Sequence, residues 1–337
     1  MIGYLALARE TFDVEFAESK FSEAKNILES ISTDALGFNQ LITNDDIASQ
    51  ALEFFESNEC EKIFIFQTTF TDAKFILNFT KTINKPICIV SFPEPRTGGR
   101  LRLNSICGLN LGMHSLIKNN ISPDFIIMQS DTKFNKLSFS KFIESSNDNE
   151  NTLWNEATIS NNRSDFNYTI DKQTIGIIGA RPEGFDTCDY DQDEVTDKLN
   201  VSLINLELDD LFDEAKNVNT ETIASTKNTI SGYLQGTEEL VQDEFDKSIS
   251  IYHGLESLKD KHNLDAFAIR CWPETFTEYG CASCGPMAMM NEKMVSCACE
   301  ADVLGGISCN ILNQMNDNPS LLVDIVDVDK ADNSLVF

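Results

Sequence analysis

The sequence lacks an apolar run long enough to cross a membrane. None of its hydrophobic stretches approaches the roughly 20 residues that a spanning helix needs. The apolar stretch near the N-terminus has no basic segment before it and no small-residue cleavage site after it, so it predicts a first β-strand and not a secretory signal. We therefore expect a cytoplasmic protein with no membrane partner.

Basic residues are also scarce. The chain has 26 Lys and Arg residues against 54 Asp and Glu residues, a formal net charge of -28. Such a chain is repelled by phosphate backbones and by anionic lipids, which argues against nucleic acid and membrane surfaces as partners. The acidic residues are spread along the sequence, as expected for a solubility adaptation.

Histidine is the third scarce residue type. His114, His253 and His262 are the three in the chain, and none lies in the acid-bearing segment 274–302. No Ser-His-Asp or Cys-His arrangement can be argued from so few. The ten cysteines, in a chain with no export signal, are expected to be reduced thiols.

The apolar residues that are present predict an α/β fold. They make up 42% of the residues, which is ample for a packed core, and a length of 337 residues favours two domains. Short apolar runs alternate with amphipathic stretches, which is typical of βαβ units and parallel sheets. We predict two consecutive Rossmann-like domains with parallel sheets flanked by helices. The predicted strands are residues 2–8, 38–42, 62–67, 87–92, 125–129, 174–179, 201–206, 264–271 and 294–299, and the predicted helices are 16–31, 45–57, 72–82, 238–262, 287–293 and a last one beyond residue 302.

A polar stretch rich in Asn, Ser and Asp, residues 145–168, predicts a linker. We therefore place an N-terminal domain at 1–165 and a second domain at 166–337. The end of the chain reads as a β-hairpin and stops at an apolar Phe337. We interpret residues 318–337 as the start of a third, C-terminal domain that is missing from this chain.

Acidic side chains follow two neighbouring strands of the second predicted sheet. Glu274 closes the first strand, and Glu300 and Asp302 close the second. Ligands of open α/β sheets gather outside the carboxyl ends of the strands, and carboxylates suit Mg²⁺ or Mn²⁺. The alternative is that these acids cap helices, with Asp302 placed at the start of the next helix.

The same region carries four cysteines that could bind zinc: Cys281, Cys284, Cys297 and Cys299. The first pair has the usual two-residue spacing of a zinc site, and the second pair, separated by one residue, does not. Simple buried thiols are the alternative reading.

Two loops carry residues that could contact a polyhydroxylated ligand. Arg181 follows the first strand of the second domain, although pairing with Glu183 or Asp186 explains it equally well. Arg100 and Asn104 lie in the Gly- and Arg-bearing loop 94–110, where structural glycines are the alternative explanation. The glycines after residue 176 do not fit a dinucleotide fingerprint.

The segment CACEADVLGG, residues 297–306, resembles the Glu-x-Asp-x-Leu-x-Gly segment of L-fucose isomerases. The segments RLRLNSICGLN and IGARPEGFDTCDYD also look like parts of fucose-isomerase-like proteins, so the similarity spans nearly the whole chain. In that family the Asp binds the catalytic Mn²⁺, and it matches Asp302. The upstream carboxylate ligand matches Glu274, with Glu278 as a rival. The analogous second Glu of L-arabinose isomerases falls on Glu300.

The resemblance implies an aldose–ketose isomerase that acts on a sugar such as L-fucose or L-arabinose through an enediol. Mn²⁺, or Mg²⁺ in its place, would polarise the carbonyl. Glu274 would serve as base and ligand, its pKa raised by burial among aromatic side chains such as Trp272, with Asp302 as ligand and Glu300 as ligand or nearby acid. The expected substrate-binding residues are Arg181, Arg100, Asn104 and Trp272.

The resemblance also implies a ring-shaped homo-oligomer, a trimer or hexamer, in which the first domain contacts the substrate of a neighbouring subunit. The family completes its metal site with a His from a further domain, and no His follows His262 here. We therefore expect this chain alone to bind metal weakly and to be inactive. Two alternatives stay open: a cysteine-ligated zinc or iron–sulfur protein, and a non-catalytic sugar-binding α/β module.

Overall fold

The computed structural model describes residues 1–145, 171–329 and 332–337, which form two compact units. Residues 1–145 and 323–337 belong to the first unit, and residues 171–322 to the second. Each unit has its own sheet and its own hydrophobic core. The predicted domain boundary at 165/166, and the predicted linker apart from its first residue, lie outside the described residues.

The first unit is built on a five-stranded parallel sheet with strand order β2-β1-β3-β4-β5. Its strands are β1 (Ile2–Leu7), β2 (Ala35–Ile42), β3 (Lys62–Gln67), β4 (Ile87–Ser91) and β5 (Asp124–Ile127). Its helices are α1 (Val14–Glu29), α2 (Asp45–Ser57), α3 (Lys74–Ile83), α4 (Ser105–Lys118) and α5 (Thr132–Glu144).

Burial on both faces explains why the central strands of this sheet are continuous apolar runs. All six residues of β1 and all six of β3 are buried, as expected for parallel strands covered by helices. Lys62 is a charged residue among these buried positions. Its ammonium group donates to the carbonyl oxygens of Phe142, Ile143 and Ser145 at the end of α5. A cation is favourable at a helix C-terminus because the unpaired carbonyls there carry partial negative charge.

The second unit is built on a four-stranded parallel sheet with strand order β7-β6-β8-β9. Its strands are β6 (Gln173–Ile178), β7 (Val201–Leu206), β8 (Ala266–Ile269) and β9 (Ser296–Ala298). Its helices are α6 (Gln192–Leu199), α7 (Leu208–Lys216), α8 (Thr220–Tyr233), α9 (Gln242–His262), α10 (Cys284–Glu292) and α11 (Val303–Asn316). Short helical turns cover Asp186–Cys188, Thr237–Glu239 and, with π-helical geometry, Thr275–Tyr279.

The predicted fold class is confirmed: two parallel sheets flanked by helices. The predicted helix 238–262 begins later, at Gln242, because Thr237–Glu239 forms a separate 3₁₀ turn. Helices α5, α6, α7 and α8 had no counterpart in the prediction, and α4 begins at Ser105, within the predicted loop 94–110. None of the helices in the described ranges is both long and apolar enough to cross a membrane.

The predicted C-terminal hairpin is present as β10 (Asp327–Asp329) and β11 (Ser334–Val336), which pair antiparallel. Its position differs from the prediction, because residues 323–337 group with the first unit and not with the second. Arg96 explains this placement: its guanidinium forms ion pairs of 2.7 Å with Asp327 and with Asp329. The Glu94 N–H also donates to the Val326 carbonyl at 3.2 Å.

Candidate active site

The acidic segments of the second unit follow two strands that lie side by side. β8 and β9 are parallel neighbours, with Ala268 opposite Ala298. Past the strand ends, the Ala301 N–H donates to the Ile269 carbonyl at 2.9 Å, which continues the contact between the two chain segments. Glu274 follows β8, while Glu300 and Asp302 follow β9, so all three acids lie beyond the carboxyl ends of these strands.

The turn after β9 holds Asp302 at the start of α11. Glu300 and Ala301 both have φ of 53°, a left-handed conformation that turns the chain sharply between strand and helix. Asp302 is the N-cap of α11, and its Oδ1 accepts from the Gly305 N–H at 2.9 Å. The capping alternative for Asp302 is therefore confirmed as a structural role. Burial nevertheless raises the pKa of Asp302, with the backbone donors Gly305 and Leu304 opposing the shift.

Glycine at position 305 is required by the Asp302 carboxylate. A Cβ at Gly305 would lie 2.4 Å from Asp302 Oδ2, closer than atoms can approach. A Cβ at Gly306 would lie 3.0 Å from the Phe267 carbonyl oxygen, so this glycine lets α11 pack closely on β8. The two glycines of the LGG segment thus serve the acid turn and the helix–strand contact.

Glu274 forms a two-bond ion pair with Arg270. Arg270 Nε donates to Glu274 Oε2 at 2.7 Å, and Arg270 Nη2 lies 2.7 Å from Glu274 Oε1. This pairing lowers the pKa of Glu274, with burial opposing the shift. The prediction that aromatic neighbours raise the pKa of Glu274 is therefore wrong, because the guanidinium outweighs partial burial. The rival acid, Glu278, is exposed on the π-helical turn that follows.

Glu300 lies against two thiols. The Cys271 thiol donates to Glu300 Oε1 at 3.6 Å. The ligand atoms of Cys271, Cys299 and Glu300 all lie within 4.8 Å of one another. A hydrogen bond with Cys271, burial and the charge of Glu300 hold the pKa of Cys299 well above its usual value.

This cluster differs from the predicted four-cysteine alternative. Among the described residues, the group of potential metal ligands that the structure brings together contains Cys299 but not Cys281, Cys284 or Cys297. Cys281 and Cys297 are buried, whereas Cys284 is exposed. The described residues therefore give no geometric support to a zinc or iron–sulfur site at those four cysteines.

The loop after β6 reaches the same edge of the sheet. Arg270 Nη1 donates to the Ala180 carbonyl at 3.1 Å, which ties the β6 loop to the β8 loop. Arg181 pairs with Asp186 at 3.5 Å and with Asp189 at 3.7 Å, so the predicted pairing with Asp186 is present.

Trp272 and Cys188 lie among these loops. The Trp272 ring lies 6.4 Å from that of Phe185, measured between centroids. Burial, together with the charges of Asp302 and Glu300, raises the pKa of the Cys188 thiol to about 12, although Thr187 and Arg181 oppose the shift.

The carboxylates beyond the ends of β8 and β9 are of the chemical type that suits a divalent cation, and among the described residues Glu300 belongs to the group of potential ligands within 4.8 Å of one another, whereas Asp302 and Glu274 do not. Glu300 and Asp302 offer carboxylate oxygens, the ligand type that Mn²⁺ and Mg²⁺ prefer. The raised pKa of Asp302 means that its carboxylate is destabilised by burial, which a neighbouring cation would relieve. To bind the same cation as Glu300 and Asp302, the Glu274 carboxylate would have to break its ion pair with Arg270 or use its oxygens for both partners.

Arg100 and Asn104, the other predicted ligand contacts, lie in the first unit. Arg100 donates to the Thr11 carbonyl at 2.8 Å. Asn104 begins α4 in a left-handed conformation, with φ of 48°, and its Nδ2 donates to Asp324 Oδ2 at 3.3 Å. Its Oδ1 is buried without a hydrogen-bond partner within the described part of the chain. An orphaned buried acceptor of this kind fits a ligand hydroxyl.

Sequence reasoning missed Arg270 and Cys271. Both follow β8 directly, and Arg270 lies four residues before Glu274, a spacing that could have suggested the ion pair. Cys271 belongs to no cysteine pair of metal-binding spacing. The signal that could have found it is positional: Cys271 and Cys299 each follow the end of one of two neighbouring strands.

The first unit is similar in sequence to a known family of sugar isomerases. Residues 3–145 match the family "Fucose/sulfoquinovose isomerase, N-terminal domain". The matched segment is almost the whole of the first unit before the undescribed residues.

Curated relatives match over nearly the whole chain. The sulfoquinovose isomerases of Priestia aryabhattai and Priestia megaterium are each 25% identical over 341 residues, which covers 99% of this chain and 71% of theirs. The sulfoquinovose isomerase of Alkalicoccus urumqiensis is 27% identical over 345 residues, with the same coverage.

Proposed function

We propose that the chain is a metal-dependent aldose–ketose isomerase of the fucose isomerase-like family, acting on a monosaccharide, because its sequence is similar to that family's N-terminal domain and to sulfoquinovose isomerases. The observation that carries the proposal is that Glu274 follows β8 while Glu300 and Asp302 follow β9, so all three acids lie beyond the carboxyl ends of two neighbouring strands. The similarity to sulfoquinovose isomerases extends through this edge.

The residues proposed to hold the metal are Glu300 and Asp302, with Glu274 as a third carboxylate. When bound, Mn²⁺ or Mg²⁺ would supply Lewis-acid polarisation of the sugar carbonyl. Asp302 is held in place by the Gly305 N–H and by the α11 N-terminus, so its second oxygen is oriented without further ordering. Such preorganisation is what a metal or substrate site needs from its scaffold.

Proton transfer between neighbouring sugar carbons requires a carboxylate that can both take and return a proton. Glu274 is the proposed base, and Arg270 controls its position because the two side chains share two hydrogen bonds. The same guanidinium lowers the basicity of Glu274. Release of Arg270 toward the substrate would free Glu274 for proton transfer, so Arg270 is proposed as a positioning residue.

The substrate proposed for the first test is sulfoquinovose, because that sugar stands in the names of the relatives. An anionic sugar needs cationic or neutral donors in a chain of net charge -28. In the second unit, Arg181 and Trp272 are the proposed contacts, and Arg100 and Asn104 of the first unit are proposed to contact the substrate of a neighbouring subunit. L-Fucose and L-arabinose are the neutral comparison sugars.

Exchange of the sugar C2 proton tests the proposal. The wild-type chain is incubated with each sugar and Mn²⁺ in deuterated water, and deuterium at C2 is followed by NMR. Exchange reports the first proton transfer separately from full turnover. We expect slow, Mn²⁺-dependent exchange that is lost in Asp302→Asn.

The competing function is a non-catalytic sugar-binding module. It predicts saturable sugar binding that is equal with and without Mn²⁺, with no deuterium at C2. That outcome in the wild-type chain would overturn the isomerase proposal. Matched circular dichroism spectra for wild type and Asp302→Asn show that both proteins are folded.

A further inference from the structure

Two thiols and a carboxylate meet where β8 and β9 end, and the proposed isomerase chemistry uses just one of them. From this juxtaposition we propose that Cys271, Cys299 and Glu300 bind a thiophilic divalent cation of the Zn²⁺ or Cd²⁺ type. Thiolate sulfur is a ligand for soft and borderline cations, whereas Mn²⁺ and Mg²⁺ prefer oxygen.

The distance between one sulfur and one oxygen of the three ligands matches an edge of a tetrahedral site. With metal–sulfur bonds of about 2.3 Å and metal–oxygen bonds of about 2.0–2.2 Å, a sulfur–oxygen edge of such a site is roughly 3.5 Å long. The Cys271 Sγ to Glu300 Oε1 distance is 3.6 Å. All three ligand atoms lie within 4.8 Å of one another, so small side-chain adjustments bring them around one ion.

The backbone holds these ligands before any cation arrives. Cys271 lies two residues beyond Ile269, the last residue of β8, and Cys299 directly follows β9. The Ala301 N–H to Ile269 carbonyl bond at 2.9 Å fixes the two segments against each other. Three ligands on two hydrogen-bonded segments lose little conformational freedom on binding.

Binding replaces the thiol protons by the cation and releases those protons to solvent, and no oxidant or reductant takes part. The fourth position of the tetrahedron is left to water, as in zinc sites with three protein ligands.

The site also has a regulatory consequence, which rests on the proposed function. Glu300 belongs to both ligand sets, so a thiophilic cation and Mn²⁺ compete for its carboxylate. Zn²⁺ or Cd²⁺ should therefore weaken Mn²⁺ binding at the neighbouring acids.

Cadmium titration tests the site directly. Cadmium thiolates absorb in the near ultraviolet, so Cd²⁺ added to the wild-type chain should produce a saturable charge-transfer band. Cys271→Ser and Cys299→Ser should each weaken Cd²⁺ affinity at least about tenfold, and Glu300→Gln should weaken it to a smaller extent. Cys284→Ser, which changes an exposed cysteine of the same unit, is the matched control and should leave the titration unchanged.

Both the wild-type protein and the variants can overturn the proposal. A folded wild-type chain with no cadmium band, or a band that is lost in Cys284→Ser and kept in Cys271→Ser, contradicts it. Should Cys271→Ser or Cys299→Ser fail to fold, the cadmium NMR shift of the wild-type complex decides, because two sulfur ligands and one sulfur ligand give different shifts. Mn²⁺ binding measured on the same samples distinguishes the thiolate site from the proposed isomerase site. Intact Mn²⁺ binding without a cadmium site contradicts the thiolate site and leaves the proposed function standing.

Discussion

Asp302 serves a helix and a proposed metal at the same time. Its Oδ1 caps α11, and its buried carboxylate has a raised pKa. Capping and metal binding place different demands on the side chain: the cap needs an acceptor oxygen, which Asn also offers, whereas Mn²⁺ needs the charge. Substitutions at this one position therefore separate the two roles.

We predict that Asp302→Ala lowers the free energy of unfolding by about 1 kcal/mol, the usual loss for an N-cap, and that Asp302→Asn lowers it by less. Both should abolish Mn²⁺ binding. Urea denaturation in the absence of metal measures the first effect. Equal destabilisation by Ala and Asn would show that the charge, and not the cap, stabilises the turn.

Gly305 provides a second residue-scale prediction. Gly305→Ala forces the Asp302 carboxylate away, because the new Cβ would lie 2.4 Å from Oδ2. We expect Mn²⁺ affinity to fall about tenfold or more, in the range found when the support of a metal ligand is lost. Gly232→Ala, in α8 with no atom near its Cβ position, is the control. It should leave Mn²⁺ affinity unchanged and raise helix stability slightly. Unchanged Mn²⁺ affinity in Gly305→Ala would contradict the placement of Asp302 in the site.

At the scale of elements, apolar runs were sufficient to predict the strands, since parallel strands buried on both faces are continuous in hydrophobicity. Helix α8 could not be predicted in the same way. Ile230 is its single buried residue among those described, so its sequence, TETIASTKNTISGY, carries little periodic signal. Its position depends on packing against α9, which local sequence does not reveal.

The candidate site also has features that the sequence predicts and features that it does not. The positions of Glu274, Glu300 and Asp302 at one sheet edge follow from strand order, which alternation of apolar runs predicts. The ion pair of Glu274 with Arg270 and the approach of Cys271 to Glu300 depend on side-chain conformations after the strand ends. Sequence patterns do not contain that information.

An electrostatic contact between α9 and the end of α10 gives an element-scale prediction. Glu256 of α9 accepts from Tyr252 at 2.8 Å and pairs with Lys293, the residue that follows α10. Burial raises the pKa of Glu256, but the hydrogen bonds from Lys293 and Tyr252 outweigh it, so the net shift is below the ordinary value of 4.5. A depressed pKa contributes stability above 4.5, and this contribution disappears as the pH falls through the folded-state pKa.

We therefore predict that Glu256→Gln lowers the free energy of unfolding at pH 7, by up to about 1 kcal/mol. The difference from wild type should shrink as the pH falls below 4.5, when wild-type Glu256 also becomes neutral. Denaturation curves across this pH range measure it. Asp260→Asn, at an exposed pair with Lys259, is the control and should show a smaller difference. A difference for Glu256→Gln that grows toward acid pH would contradict the assignment.

At the scale of the whole molecule, charge is the dominant feature. A net charge of -28 produces repulsion among surface carboxylates, which salt screens over a Debye length of about 10 Å at 0.1 M. The oligomeric state, a trimer or hexamer by resemblance, stays a prediction.

We predict that NaCl and KCl raise the melting temperature to the same extent as their concentration increases, because screening depends on ionic strength and not on the cation. Differential scanning calorimetry measures the effect. A melting temperature that falls with both salts would mean that attractive ion pairs outweigh the net repulsion.

We propose that the acids following β8 and β9, Glu274, Glu300 and Asp302, form one divalent-cation site. Mn²⁺ binding followed by electron paramagnetic resonance tests it most directly, because the signal of free aqueous Mn²⁺ disappears when the ion is bound. The wild-type chain should bind Mn²⁺ at a single class of site, and the folded Asp302→Asn and Glu300→Gln variants should leave the free-ion signal undiminished. Wild-type protein that leaves all Mn²⁺ free, or variants that bind it as well as wild type does, would contradict the account.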